Sequence, residues 1–284
     1  MTNVQRSTGP NPSPPFEEIS GDIQLSFADR VRYLLRNAWR NIAVLGRGPR
    51  CSAFRPDPRH AAAIACSQSP SRLLTELFLE AELPRLTVPR ELEVLEIGCG
   101  SGSMAFRLSR LGYSGRYCGI DINDRFRCDH PGNFPFAVSH VVVDAHAYAP
   151  PRAVDLLISV STLEHIPHDG VLIRRLASLF NPGGVEVHVV PSGPSLAVYL
   201  WHGFRQYTPA ALAAKFGHPI EIVRLGGVAS YLVHLVFITV PDMIFYRSLR
   251  KTLPGLYRAL LLGSLRLDAL LPFLPTAYAV IRRH

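Results

Sequence analysis

Residues 94–102 read Val94-Leu95-Glu96-Ile97-Gly98-Cys99-Gly100-Ser101-Gly102, an apolar run that ends in glycines at alternate positions. A run of this kind predicts a buried strand, Glu93–Ile97, turning sharply into a helix over Ser103–Leu111. Glycines in the turn let the backbone fold tightly and approach a ligand without a Cβ in the way. Outward from this stretch, short β-rich runs alternate with helical ones. Further strands are expected at Arg116–Ile120, Ser139–Val143, Asp155–Val160, Val185–Val190 and Ile220–Arg224, and helices at Gly170–Phe180 and Pro209–Phe216. Alternation predicts an α/β fold, a doubly wound sheet of parallel strands. Tyr278–Arg282 reads as one more strand returning to the sheet after a long apolar insertion.

Carboxylates fall where the strands end. Tyr117-Cys118-Gly119-Ile120-Asp121 closes the second strand with an acid, the place where a ribose diol would be held by two charge-assisted hydrogen bonds. Val141-Val142-Val143-Asp144-Ala145 closes the third. The fourth strand, Val154–Val160, runs into Ser161-Thr162-Leu163-Glu164-His165-Ile166, and Leu179-Phe180-Asn181-Pro182-Gly183-Gly184 precedes the fifth. This ordered set, covering about residues 91–191, resembles the class I S-adenosylmethionine (SAM)-dependent methyltransferases of small molecules. The resemblance implies a Rossmann-like methyltransferase sheet and SAM as cofactor. It places Gly98, Cys99, Gly100 and Gly102 under the methionine moiety, with Glu96 fixing the loop. Asp121 would take the ribose hydroxyls and Ile122 the adenine face, while Asp144 and Ala145 would meet the adenine edge. Ser161 and Leu163 would line the wall beside the sulfonium. One departure stands out: Asn123–Pro135 is polar and contains Pro131, Gly132 and Pro135, where the family has a helix.

Methyl transfer is an in-line displacement, and holding the reacting atoms collinear supplies much of the rate. A hydroxyl acceptor gains further from a base. His165, just past the fourth strand, is the first candidate, and His202, in the segment after the fifth, is the second. Arg205, Tyr207 and His188 read as structural residues. No metal is expected: Cys51, Cys66, Cys99, Cys118 and Cys128 lack a paired ligand spacing, and Cys128, Asp129 and His130 form no second cluster. The expected reaction is O-methylation of a small-molecule or lipid-linked acceptor such as a sugar, a lipid-linked saccharide or a natural-product scaffold. Carbon or nitrogen methylation, and a silent scaffold of the same fold, are the alternatives.

The chain has 284 residues with 30 Lys+Arg against 22 Asp+Glu, a formal charge of +8. That charge divides unevenly: +4 over residues 1–90, −2 over 91–223 and +6 over 224–284. A slightly acidic core without basic–aromatic interleaving argues against nucleic acid as a partner. Residues 1–20 are polar and Pro-rich, which predicts a disordered lead and no export signal, hence a cytoplasmic protein with reduced thiols. Residues 21–90 read as a helical extension. Within it Phe27, Val31, Leu34, Leu35, Ala38 and Ile42 share one face and Arg32, Arg36 and Arg40 another, and a second helix is expected from Ser71 to Ala81. The core is expected at 91–227, an apolar and basic helical insertion at 228–274, and a final strand at 275–284. Val228–Val240 is too short to span a bilayer, and Pro241 and Asp242 should interrupt it. Three roles for the insertion stand open: a lid over an acceptor pocket, peripheral contact with the inner membrane surface, or packing against the sheet or the mate of a homodimer.

Overall fold

The computed structural model describes residues 19–284 except 45, 47, 66, 88–89, 128–132 and 218. Most of the expected disordered lead, and the Cys128, Asp129 and His130 trio, therefore lie outside the described residues. Ile19 and Ser20, assigned to that lead, are instead buried.

Among the described residues eight strands form one sheet: β1 (Ser52–Ala53), β2 (Glu91–Ile97), β3 (Ser114–Asp121), β4 (Phe136–Val142), β5 (Val154–Val160), β6 (Phe180–Pro191), β7 (Glu221–Leu225) and β8 (Ala277–Arg283). Their order is β1-β7-β8-β6-β5-β2-β3-β4. All neighbours pair parallel except β8, which runs antiparallel to both β6 and β7. Chain order reverses between β2 and β5, and ligands of such sheets bind outside the strand ends at that reversal. The loop after Ile97 sits there.

Central strands are largely apolar on both faces, as expected where helices cover both sides. On one side α3 (Pro70–Leu86) and α4 (Ser103–Arg110) pack Leu73, Leu77, Phe78 and Leu108 onto Val94, Leu156 and Val187. On the other, α5 (Asp169–Leu176) and α6 (Pro209–Phe216) pack Leu172, Ile173, Leu212 and Phe216 onto Leu95, Leu157 and Val280. The extension contributes to this body: α1 (Phe27–Ala43), α2 (Pro58–Ile64) and α3 precede β2, and β1 adds to the sheet edge beside β7.

Some expected boundaries move. The Ser71–Ala81 helix runs from Pro70 to Leu86, begun by Ser69, whose hydroxyl accepts from Arg72 N. The helix expected to reach Phe180 stops at Leu176, and Phe180 instead opens β6, opposite Val154 across an irregular register.

The larger correction concerns Pro241. The insertion comprises α7 (Val228–His234), α8 (Val240–Phe245), α9 (Leu249–Thr252) and α10 (Pro254–Asp268). Between α7 and α8, Leu235–Thr239 forms a wide π turn, so the helix continues unbroken over Val228–Phe245. A proline inside a helix removes a donor and crowds the carbonyl four residues earlier. Here that carbonyl, Phe237 O, is taken by the Ser248 hydroxyl at 3.1 Å. The resulting 18-residue helix has mean hydropathy 1.8, long and apolar enough to cross a membrane by length and composition alone.

Candidate functional site

The glycine loop is closed by its own backbone. Gly98 N and Cys99 N both donate to Ile120 O, at 2.8 and 3.1 Å, and Gly102 N donates to Cys99 O at 2.8 Å. Gly98 and Gly100 have φ of +74° and +51°. A Cβ on Gly98 would lie 2.2 Å from Thr162 Oγ1, whereas one on Gly100 would meet nothing within 4 Å. Gly98 is thus required by the close approach of Thr162, while Gly100 keeps open the space it faces.

That space consists of two cavities sharing Gly98, Gly100 and Ser161. The first, about 550 Å³, is walled by Asp121, Ile122, Asp144, Ala145 and His165 among others. The second, about 420 Å³, reaches Glu96, Cys99, Glu164, Tyr199 and His202 and is flanked by the start of α3. Ser161 stands at the junction with φ +48°, a left-handed conformation that is uncommon and costly for a non-glycine residue.

Asp121 is positioned from both sides. Its Oδ2 accepts from Gly100 N at 2.9 Å and its Oδ1 from Asn123 N at 2.8 Å. A carboxylate offers about four lone-pair sites, so about two remain directed to a ligand. Asp144 Oδ1 accepts from His146 N at 2.7 Å, which fixes that carboxylate in a turn at the cavity wall. Glu96 is fully buried and receives the Tyr117 hydroxyl; burial pushes its carboxyl up to about 8 despite that bond.

A third feature joins residues far apart in the chain. Asp22 Oδ2 lies 2.6 Å from His165 Nδ1, and Asp22 Oδ1 accepts from Gly203 N at 3.2 Å. The His165 and His202 rings meet edge to face with centroids 4.5 Å apart. Glu164 Oε1 is 3.8 Å from Nε2 of each histidine. Glu164 itself is 1% exposed, and neither of its carboxylate oxygens has a hydrogen-bond partner. Burial raises its carboxyl to about 7, against the pull of His165. Burial would lower His165, but the Asp22 hydrogen bond and the charges of Glu164 and Asp22 carry it above its ordinary value. His202 goes the opposite way, lowered by burial and by His165. Asp22 is held at about 2: burial opposes ionisation, and its bonds to His165, Ser20 and Gly203 outweigh that. Asp22, His165 and His202 also offer ligand atoms within 4.8 Å of one another, a set that could hold a cation although the sequence suggested no metal cluster.

The named residues distribute as follows. Gly98, Gly100, Asp121, Ile122, Asp144, Ala145, Ser161 and His165 line the first cavity; Glu96, Cys99 and His202 line the second with Gly98, Gly100 and Ser161. Gly102 starts α4 beneath the Phe126 ring. Leu163 is a correction: it is fully buried in the α5/α6 core, because the tight turn Leu163–His165 rotates it away from the wall. In place of the family's helix after Asp121, the irregular Asn123 and Arg125 complete the first cavity, with Phe126 stacked on His140. Asp22, Tyr199 and Glu164 join the site without a sequence motif that assigns them a role. Only Glu164, adjacent to His165 in sequence, carried a signal that could have exposed it.

The family model described as "Methyltransferase domain" matches residues 61–219, more than half of the chain. The chain belongs to the SAM-dependent methyltransferases. Relatives of this methyltransferase include the ubiquinone biosynthesis O-methyltransferase of Cupriavidus pinatubonensis, 33% identical over 113 residues, covering 38% of this chain and 44% of that protein. Another is the trans-aconitate 2-methyltransferase of Methylobacterium radiotolerans, 28% identical over 157 residues, covering 55% and 56%. The methyltransferase thus spans about half the length of these relatives. A solved SAM-dependent methyltransferase from Archaeoglobus fulgidus is 21% identical with TM-score 0.48, covering 75% of this chain and 94% of that one.

SAM is the cofactor of the family, and this methyltransferase's residues fit it. Gly100 leaves the floor open, Asp121 keeps two acceptor sites for a diol, and the buried acid Glu96 lies below a loop that would receive a cationic ligand. Glu96 also makes a prediction for the methyltransferase without ligand. Between its unfolded value of 4.5 and about 8 the folded chain keeps a proton that the unfolded chain has lost. Stability present at acid pH therefore falls as pH rises through that window, by ~1.4 kcal/mol per unit for one such group. Urea midpoints at several pH values should show this decline, and Glu96→Gln should reduce its slope and leave the share of Glu164, which burial raises to about 7; an unchanged slope in that variant would assign the effect elsewhere.

Proposed function

We propose that this methyltransferase transfers the methyl group of SAM to a hydroxyl oxygen of a small or amphiphilic acceptor bound in the second cavity. The observation that carries the reading is His202: it lines that cavity, is biased toward its neutral form, and has the unpartnered Glu164 carboxylate 3.8 Å from its Nε2. When bound, SAM supplies an electrophilic methyl carbon on a sulfonium. Transfer to the acceptor oxygen would form an O–C bond as the C–S bond breaks, its electron pair left on sulfur. His202 takes the hydroxyl proton, and the imidazolium so formed lies beside Glu164, which the new positive charge pulls toward ionisation. His165, held by Asp22, stays the more cationic of the pair and keeps His202 basic only weakly, suited to work near neutral pH.

Relatives named as O-methyltransferases support oxygen over carbon or nitrogen. The mixed lining of the second cavity, with Ser69, Ser71 and Tyr199 beside Leu79 and Met104, supports a sugar, lipid-linked saccharide or natural-product scaffold as the acceptor class. A second reading is favoured by the ligand-atom cluster: a divalent cation on Asp22, His165 and His202 would acidify the acceptor hydroxyl directly.

Thermal unfolding with SAM or S-adenosylhomocysteine is the first test. At a concentration near 100 Kd, either should stabilise the fold by about 2.7 kcal/mol. No shift at saturation would overturn the enzyme reading. Isotope-labelled methyl transferred to an extractable acceptor, located on oxygen by mass spectrometry, would then establish the reaction; label on carbon or nitrogen would refute the hydroxyl assignment.

A further inference from the structure

The helix α1 is packed inside out. A helix on a protein surface normally turns its apolar stripe inward. In α1 the buried residues are Tyr33 and Asn37, and both make polar contacts: Tyr33 donates to His202 O at 2.8 Å and accepts from Gln206 Nε2 at 3.1 Å, while Asn37 Nδ2 donates to Tyr33 O. Outward stand Phe27, Leu35, Trp39 and Ile42, respectively 82, 67, 73 and 65% exposed. With Val31 they recur at intervals of four or three residues, which aligns them along one side of the helix. Arg32, Arg36 and Arg40, spaced by four, follow the border of that stripe.

A second apolar surface adjoins the first. The helix Val228–Phe245 is only 22% buried, and its end carries exposed Met243, Ile244, Phe245 and Tyr246 next to Arg247. Both helices rest on the same short segment: Asn41 Nδ2 of α1 donates to Gly193 O at 3.3 Å, Tyr231 OH of α7 donates to Pro194 O at 3.3 Å, and Thr239 Oγ1 donates to Val198 O at 2.8 Å. The charge distribution matches this placement, since the flanks carry +4 and +6 and the core −2.

We propose that α1 and the exposed end of the Val228–Phe245 helix dock together on an anionic bilayer surface, with the Phe27–Ile42 stripe in the acyl boundary and the bordering arginines on phosphate headgroups. An interfacial helix has this composition: an apolar stripe bearing Trp and Phe beside a row of Arg. Anionic lipid is favoured over a protein partner because both apolar surfaces lie in the basic flanks of a chain whose core is acidic. One consequence rests on the proposed function: Tyr33 ties the docked helix to the backbone of His202, so an amphiphilic acceptor would reach the second cavity from the lipid side.

Trp39 and Trp201 are the only tryptophans, which makes the docking directly visible. A Trp201→Phe form of the full chain is mixed with vesicles of phosphatidylcholine alone or with phosphatidylglycerol. Expected are co-sedimentation with the anionic vesicles that weakens with salt, a blue shift of Trp39 emission, and quenching of that emission by brominated lipid. Leu35→Glu with Phe27→Glu should lower vesicle partitioning by at least ~10-fold, since both side chains point to solvent and would be driven into the acyl boundary. That variant should keep the SAM-induced thermal shift, which separates a docking failure from loss of fold or of the cofactor site. No binding to anionic vesicles at low salt would overturn the proposal. So would a dimer in which Trp39 is shielded without lipid, which would make a second copy the occupant.

Discussion

Asp121→Ala should weaken SAM binding by ~10²–10⁴-fold, on the basis that each hydrogen bond to a charged group contributes roughly 1.5–3 kcal/mol. Two of these would run from a ribose diol to the lone-pair sites left on Asp121 after Gly100 N and Asn123 N have taken theirs. The same carboxylate also braces the loop, so alanine releases the Gly100 N–H that shapes the cavity floor. Asp121→Asn separates the two contributions: its side-chain oxygen can still accept from Gly100 N, yet it loses the charge and one acceptor. The asparagine variant should fall between wild type and alanine in a titration calorimetry series. Equal affinities for wild type and Asp121→Ala would remove Asp121 from the cofactor site.

His202→Ala should lower kcat by ~10²–10⁴-fold, the range of a positioned base, and leave SAM affinity near its original value. Its imidazole lines the second cavity, away from the Asp121 wall. The pH profile gives a sharper test. Because burial and the neighbouring His165 hold His202 below its ordinary value of 6.5, kcat should climb along an acid limb below that pH and level off at neutrality. His165→Gln removes one of the two influences holding His202 down, so the limb should move toward higher pH. A merely structural His165 would change amplitude without moving the limb. Dialysis against a chelator should leave the rate unchanged; loss restored by Mn²⁺ or Zn²⁺ would reassign Asp22, His165 and His202 to coordination.

What the sequence revealed was local. Val94–Gly102 states a strand, its turn and its ligand-facing loop within nine consecutive residues, and Asp121 stands at the end of the adjacent strand, where register alone brings it to Gly100. The Asp22–His165 pair joins positions 143 apart through an irregular segment with no period and no motif, and no local rule could have paired them. Periodicity revealed the apolar stripe of α1 but could not say which side of the helix would face the body, because polar contacts from Tyr33 and Asn37 settled that. Pro241 reads as a breaker in every local scheme. It is tolerated here because a π turn and the Ser248 hydroxyl, beyond the helix end, take up the backbone groups that it would strand. Leu163 failed for a related reason: one tight turn after β5 decides whether a side chain enters the cavity or the core, and sequence spacing does not encode that rotation.

The antiparallel strand β8 has a bearing on how the molecule assembles. β7 reaches the rest of the sheet only through β8, and β1 only through β7. About fifty residues, most of them helical, separate β7 from the strand that must seat it. The β4-β3-β2-β5-β6 half, which holds the glycine loop, can therefore form while the other edge still waits for the α7–α10 hairpin to collapse. Pairings of such sequence separation are slow to form. Refolding should thus show two stages, with Asp121-side amides protected from hydrogen exchange before those of β7, and cofactor competence arriving ahead of the finished sheet.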